Sequence, residues 1–600
     1  MENNEIIKEN LEIAEIFNNY FVNIVKDLNI PEINHSKISR NINNSTVEPI
    51  EIIIQKFCDH PSIIKIKEHI IQTELFSFKL LNDIDIESEI KMLNSKKAPG
   101  VDGIPTSILK ESIDIVKYPL AQLFNVSIEN QIFPNDLKFA NITPIFKNKE
   151  NVNKENYRPI SILPSISNFF ERSMFKQITI FIENKISQYL CGFRKGYNTQ
   201  HALLRLMDKL NKSLDKKEKL GIVMMDLSKA FDCLSHDLMI AKLSAYGFDK
   251  CSLKIIYSYL NGRKQRIKIN SVFSTWKDIT SGVPQGSVLG PLLFNLFIND
   301  LFLFVEKTDI CNFADDNTLS IADISVEHII NSLESDIDIL QKWFLENGML
   351  LNQNKFQFMI IESSRNARNE KAEIKIQNKT VVENPKGKLL GVTIDKNLTM
   401  KEHIKNICKQ AGNKLNALAR IAKFLDDDKR KLLMKSFVIS QFNYCPIIWM
   451  YCQRQSNNLI NKIHERALRI AYNDYTSTFN MLLEKDGSLM IHEKNTHALA
   501  FEIFKTRNNL NPTFMKNIFC PILHNYNTRN ERIAYPIPRT VTYGLESFGY
   551  KANEIWNSLP KDIKSTNNIK EFKNLLFNKN PKLCSCNLCK VYVADLGYLN

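Results

Sequence analysis

Residues 311–321 read CNFADDNTLSI: an apolar run, two aspartates and a second apolar run. The pattern predicts a strand, a tight turn and a second strand, with Asp315 and Asp316 at the tip. Adjacent carboxylates repel, and at the tip of an apolar hairpin they are costly without a cation. A lone Asp-Asp pair is most simply a solvated turn, but a second apolar run changes the weighing. Residues 221–227, GIVMMDL, predict a buried strand closing on Asp226, 89 residues before Asp315. A strand-end carboxylate brought beside the tip makes a hard, oxygen-only site suited to Mg2+. Two such ions about 3.5–4 Å apart would stabilise both the attacking and the leaving oxygen of an in-line phosphoryl displacement.

Working outward, residues 281–294 read SGVPQGSVLGPLLF. Gly supplies only 18 of the 600 residues, so a Gly cluster is informative, and ten of the 18 lie between Gly100 and Gly290. Gly282, Gly286 and Gly290 recur every four residues, which would line one side of a helix start and leave backbone room for a flat partner such as a base pair. Pro284 sets the entry, and Gln285 offers both a donor and an acceptor. A plain Gly-rich turn before a core helix accounts for the spacing equally well. Residues 290–305 are the most apolar stretch, but Asn295, Asn299 and Asp300 interrupt it, so it reads as a buried helix and not a membrane span.

The rest of the chain excludes several classes. The net charge is +14, from 79 Lys and Arg against 65 Asp and Glu, which favours a polyanionic partner. The 12 Cys are mostly single, as in reduced intracellular proteins, and the charged N-terminus is no signal peptide. The expected location is the nucleus or cytoplasm. No G-x-x-x-x-G-K-[ST] or G-x-G-x-x-G motif occurs, and His492, Glu493 and His497 have one residue too many for H-E-x-x-H. The periodicity predicts helices through residues 1–95, with Ile13, Phe17, Tyr20, Phe21 and Ile24 on one face. It predicts a Gly/Pro loop at 96–105, a strand at 141–147, one helix over 237–260, a hairpin over 266–279, strands at 356–362 and 389–394, and helices from about 400 to 505. Cys584, Cys586 and Cys589 could offer three thiolates to zinc, but no His follows them, so they read as free thiols on a tail.

The segments MMDLSKAFD at 224–232, SGVPQGSVLGPLLF and FADD, in that order and spacing, resemble reverse transcriptase motifs A, B and C. The resemblance extends upstream through KKAPGVDGIP at 96–105, residues 141–175 and CGFRKGYNTQHAL at 191–203. Downstream, WFLENGMLLNQNKFQFMII at 343–361 and KLLGVTIDKNLTMKEHI at 388–404 resemble motifs D and E, and 454–470 and 548–560 resemble later parts of the same proteins. The pattern is that of non-LTR retrotransposon polymerases of the jockey-like group. Any single motif is weak, but the ordered set is specific.

The resemblance implies an α+β right-hand polymerase with fingers, an antiparallel-sheet palm and a helical thumb, flanked by helical N- and C-terminal extensions. The expected divisions are residues 1–95, then 96–395 for fingers and palm (core about 128–394), 396–505 for thumb and post-thumb, and 506–600. Asp226, Asp315 and Asp316 would bind two Mg2+, with Mn2+ the alternative, and the Leu227 carbonyl would complete one coordination sphere. Phe231 would lie under the incoming sugar and exclude a 2′-hydroxyl, while Gln285 and Gly286 would sit by the nascent base pair. Lys355 would serve the leaving pyrophosphate, and Lys147 and Arg158 would clamp the triphosphate. Lys401, Lys405, Lys409 and Lys414 could contact duplex phosphates, although any one of them taken singly reads as part of a solvated helix face. The implied partners are an RNA template, a DNA primer and deoxynucleoside triphosphates, with no membrane. About 95 residues precede the first polymerase motif, so the expectation is the polymerase part of a longer element, or a truncated copy, whose endonuclease function comes from elsewhere. The rival readings are a decayed or co-opted nucleic-acid-binding protein and a maturase-like splicing factor.

Overall fold

The computed structural model describes residues 7–28, 30, 48–71, 74–147, 150–363, 368, 370–377, 379–519, 538–584, 586 and 588. Helices and sheets are mixed, and the chain divides into two compact units. The first comprises residues 1–193, 226–306 and 337–353; the second comprises 194–225, 307–336 and 354–600. Each unit is assembled from segments far apart in sequence, which sheet pairing gathers.

In the first unit, strand Phe139–Phe146 pairs antiparallel with Tyr157–Ile162 and parallel with Arg263–Ile269. The sheet is therefore mixed. Arg263–Ile269 turns back through two short strands, Val272–Phe273 and Lys277–Ile279, so the expected hairpin begins earlier and closes in two steps. Helix Asn10–Asn23 covers this sheet: Ala14, Phe17 and Phe21, at helical spacing, bury against Ala140, Ile142, Leu163 and Ile267. Its buried Asn18 donates to Ser274 Oγ at 3.0 Å and to the Thr275 carbonyl at 2.7 Å.

The single helix expected over 237–260 is two, His236–Ala245 and Lys250–Leu260. Gly247, at φ +97, ends the first, and the Asp249 side chain caps the second. The apolar stretch forms helix Gly290–Ile298 and a 3-10 turn, Asn299–Leu303. Its polar residues stay buried because they are partnered. Asn295 donates to the Gly192 carbonyl at 2.8 Å. Asp300 pairs with Lys242 at 2.7 Å, both side chains fully buried.

In the second unit, the sheet order is Gln357–Ile361, Lys219–Ser228, Asp316–Asp323, Asp309–Phe313, with the second strand contributing as far as Met225. Leu220 to Met225 are buried on both faces, which is why that strand reads as a continuous apolar run instead of alternating. Helix Thr199–Asp215 packs on the last strand of the sheet, and Arg205 donates to the Ile310 carbonyl at 2.8 Å. The strand expected at 389–394 is a hairpin, Lys386–Leu389 with Val392–Asp395. Leu390 and Gly391 turn it, both at positive φ as a two-residue turn demands. Beyond 400 the chain is helical, beginning with Lys401–Ile421, whose buried face is Ile404, Cys408, Ala411, Leu415 and Leu418. Lys401, Lys405, Lys409 and Lys414 are exposed on it. Among the described residues, no helix is long and apolar enough to cross a membrane.

Candidate active site

The residues singled out from sequence fall in both units. Within the first, the 281–289 loop is held between two backbones. The Gly282 N–H donates to the Leu234 carbonyl at 2.8 Å and the Val283 N–H to the Phe231 carbonyl at 3.1 Å. On the other side, the Ser161 N–H donates to the Gln285 carbonyl at 2.7 Å. The glycines permit this closeness. A Cβ on Gly282 would stand 2.8 Å from the Phe231 and Asp232 carbonyl oxygens, and one on Gly286 would stand 2.8 Å from the Ser161 oxygen. Both have positive φ, +79 and +120. Gly282 and Gly286 precede the helix that Gly290 begins, so the three do not share a helix face as their spacing suggested.

The Gln285 amide donates to both carboxylate oxygens of Asp232, at 3.0 and 3.2 Å. Burial pushes the Asp232 carboxyl up to about 6, while the Gln285 amide and Lys229 pull it down. Phe231, beside it, stacks on Phe294 with centroids 4.5 Å apart and meets Phe193 edge-on at 5.6 Å. These contacts fix the ring's plane while leaving it half-buried. Glu171, wholly buried, accepts from the Val288 N–H at 2.5 Å and the Leu289 N–H at 3.2 Å. These are orphan donors at the start of helix Gly290–Ile298, so Glu171 anchors the end of the loop.

Asp226 closes the Lys219–Ser228 strand, and its carbonyl accepts from the Asn352 N–H at 2.9 Å. Leu227, buried, pairs with Leu351. Ile145 lies opposite Arg158, and the Lys147 N–H donates to the Asn156 carbonyl at 2.9 Å. This register puts Lys147 and Arg158 on one face, since residues two apart share a face; both are exposed.

In the second unit, Phe313 pairs with Asp316, leaving Ala314 and Asp315 as a two-residue turn. Ala314 takes a left-handed φ of +58, a conformation that residues with a Cβ seldom adopt. Two buried asparagines hold it. Asn312 donates to the Ala314 carbonyl at 2.8 Å and to Asn317 Oδ1 at 2.9 Å, and Asn317 donates to the Asp315 carbonyl at 3.4 Å. Asp315 and Asp316 are thus presented, half-exposed, from a braced turn. Lys355 ends the Gln353–Lys355 turn and is exposed.

Sequence reasoning missed Asp232, Glu171, Asn312 and Asn317. The asparagines had a signal, since each flanks the predicted turn; Glu171 had none, standing 117 residues before Val288.

Residues 146–394 match a family model described as reverse transcriptase (RNA-dependent DNA polymerase). The chain is 28% identical over 408 residues to a probable RNA-directed DNA polymerase from transposon BS of Drosophila melanogaster, covering 64% of this chain and 44% of that protein. It is 26% identical over 398 residues to the RNA-directed DNA polymerase from mobile element jockey of Drosophila funebris, covering 64% and 43%. It is 26% identical over 435 residues to a probable RNA-directed DNA polymerase from transposon X-element of Drosophila melanogaster, covering 70% and 47%. The chain thus spans less than half the length of these relatives.

Proposed function

From the premise that residues 146–394 are a reverse transcriptase domain, similar to those of jockey-like non-LTR retrotransposons, we propose that the chain is an RNA-directed DNA polymerase. It extends a DNA 3′-hydroxyl with deoxynucleoside triphosphates on an RNA template. The observation that carries this reading is the braced turn presenting Asp315 and Asp316. A strained turn held by two buried asparagines is a costly way to expose two adjacent carboxylates, and it makes sense where their position matters.

The carboxylates of Asp226, Asp315 and Asp316 and the Leu227 carbonyl are all oxygen donors, the chemistry that suits hard divalent cations. They would hold two Mg2+, which when bound supply charge stabilisation to the phosphoryl transfer. Phe231, its plane set by Phe294, supports the sugar of the incoming nucleotide and excludes a 2′-hydroxyl. Gln285 and Gly286 border the nascent pair, and the Gln285–Asp232 contact orients that amide. Arg158 and Lys147, on one face of their sheet, bind the triphosphate, and Lys355 donates toward the departing pyrophosphate. The layout is that of a right hand, with fingers and palm over 96–395, the thumb and post-thumb over 396–505 and helical extensions at either end; the exposed lysines of Lys401–Ile421 meet duplex phosphates.

The test is primer extension on an RNA template with Mg2+, comparing the parent chain with Asp315→Ala. The expected loss is at least about 10²–10³-fold in rate. Template-dependent DNA synthesis that survives the substitution sinks the assignment.

A further inference from the structure

The C-terminal thiols, read from sequence as a free tail, meet a histidine that precedes them by about ninety residues. His492 stands in the first turn of helix Ile491–Arg507, and Cys584 and Cys586 follow helix Ile569–Lys579. One donor atom from each of the three lies within 4.8 Å of the others. Cys586 Sγ is 3.3 Å from His492 Nε2. We propose that His492, Cys584 and Cys586 bind a zinc ion that fastens the C-terminal segment to helix Ile491–Arg507.

Three features support the assignment. The spacing fits, because ligand atoms around a tetrahedral zinc, at about 2.3 Å for sulfur and 2.0–2.1 Å for nitrogen, are roughly 3.4–3.8 Å apart. The donors fit as well, since two thiolates and an imidazole are borderline-soft ligands that select zinc over the hard cations proposed for the aspartates. The histidine is also oriented for the task. Its Nδ1 lies 3.1 Å from the Met450 carbonyl, to which it donates, leaving the Nε2 lone pair directed at the thiols. That is the outer-shell bond which metal-ligating histidines make to fix tautomer and ring plane. The imidazole is buried and stands edge-on to the Tyr451 ring at 5.9 Å, so it cannot easily swing away.

Buried Leu583 is the apolar anchor of the C-terminal segment, and its carbonyl accepts from Ser558 Oγ at 3.3 Å. A cavity of about 300 Å³, lined by His492, Cys584, Asn461 and Leu588 among others, lies alongside. A metal link between this segment and the helix would add folding free energy directly. Among the described residues the group consists of these three donors; a tetrahedral zinc would take a further thiolate or water as its fourth ligand. Cys589 lies outside the described residues.

The test measures zinc on the full chain purified under reducing conditions. Elemental analysis at matched free zinc should give one ion per chain. His492→Ala and Cys586→Ser should each lower retention roughly 10-fold or more, whereas Cys251→Ser, which removes an exposed thiol of the first unit, should not. If the ligand variants fail to fold, cobalt(II) loading of the parent chain decides, since thiolate ligation gives a sulfur-to-cobalt charge-transfer band and strong tetrahedral d–d absorption. Zinc absent from the parent chain at saturating metal, equal zinc in the parent and the His492→Ala/Cys586→Ser double variant, or a cobalt spectrum without the sulfur band would each overturn the proposal. None of these readouts depends on polymerase activity, so the zinc site and the polymerase reading stand or fall separately.

Discussion

The side-chain amide of Gln285 bridges both carboxylate oxygens of Asp232, tying the 281–289 loop to the residue that follows Phe231. Asp232 is an acid whose proton is held more tightly when folded, at about 6 against 3.8 for an ordinary Asp. Its charge therefore costs stability above about pH 6, and that cost is relieved as pH falls from 6 toward 4. Denaturant melts over this window should show the parent chain losing stability relative to Asp232→Asn as pH rises. Gln285→Leu removes a bond that lowers the Asp232 value, so its own loss should be larger and centred at higher pH. Identical pH slopes in all three proteins would rule out the contact as drawn.

Asn312→Ala deprives the Ala314 carbonyl and Asn317 Oδ1 of their donor. The expected cost is about 1–3 kcal/mol of stability. Extension should slow more than binding, by up to about 10²-fold in kcat, because a carboxylate displaced by an ångström loses its alignment. Steady-state kinetics showing a KM effect alone would place the asparagines outside the turn's catalytic role.

Phe231→Val removes the ring stacked on Phe294. Ribonucleotide incorporation should rise roughly 10–200-fold relative to deoxynucleotide incorporation, within the range that a steric pocket discriminates. Single-nucleotide addition on an RNA template measures it, and unchanged sugar selectivity removes the gate role.

Lys242 is wholly buried, donating to Asp300 and to the Phe297 carbonyl, each at 2.7 Å. Lys242→Met leaves the buried Asp300 carboxylate without its cation, while Trp343 Nε1 still donates to it at 2.8 Å. The expected loss is about 3–5 kcal/mol, with Lys242→Met/Asp300→Asn recovering much of it, because breaking one half of a buried pair costs more than replacing both. Urea denaturation of the two variants checks the order.

The strand–turn–strand at 311–321, the strand ending in Asp226 and the loop before helix Gly290–Ile298 were all legible, since alternation, apolar runs and Gly/Pro placement act over a few neighbouring residues. The misreadings were local as well. Gly247 divides one expected helix, and Leu390 with Gly391 divides one expected strand, through positive φ that composition alone does not reveal. The glycine spacing in 282–290 suggested a helix face, but close backbone approach to Asp232 and Ser161 is what requires Gly282 and Gly286.

By itself the sequence determined which chemistry-bearing residues exist, their order, and the short elements that carry Asp226, Asp315 and Asp316. Only the tertiary structure decided which distant groups meet: Gln285 with Asp232, Glu171 with the start of the 290–298 helix, and His492 with Cys584 and Cys586. The physical reason is range. Strand and turn formation is set by neighbours along the chain, whereas partners some fifty to over a hundred residues apart are chosen by the packing and strand register of the whole unit. That is why a C-terminal tail with no His after it read as three free thiols, although its imidazole waits on a helix earlier in the chain.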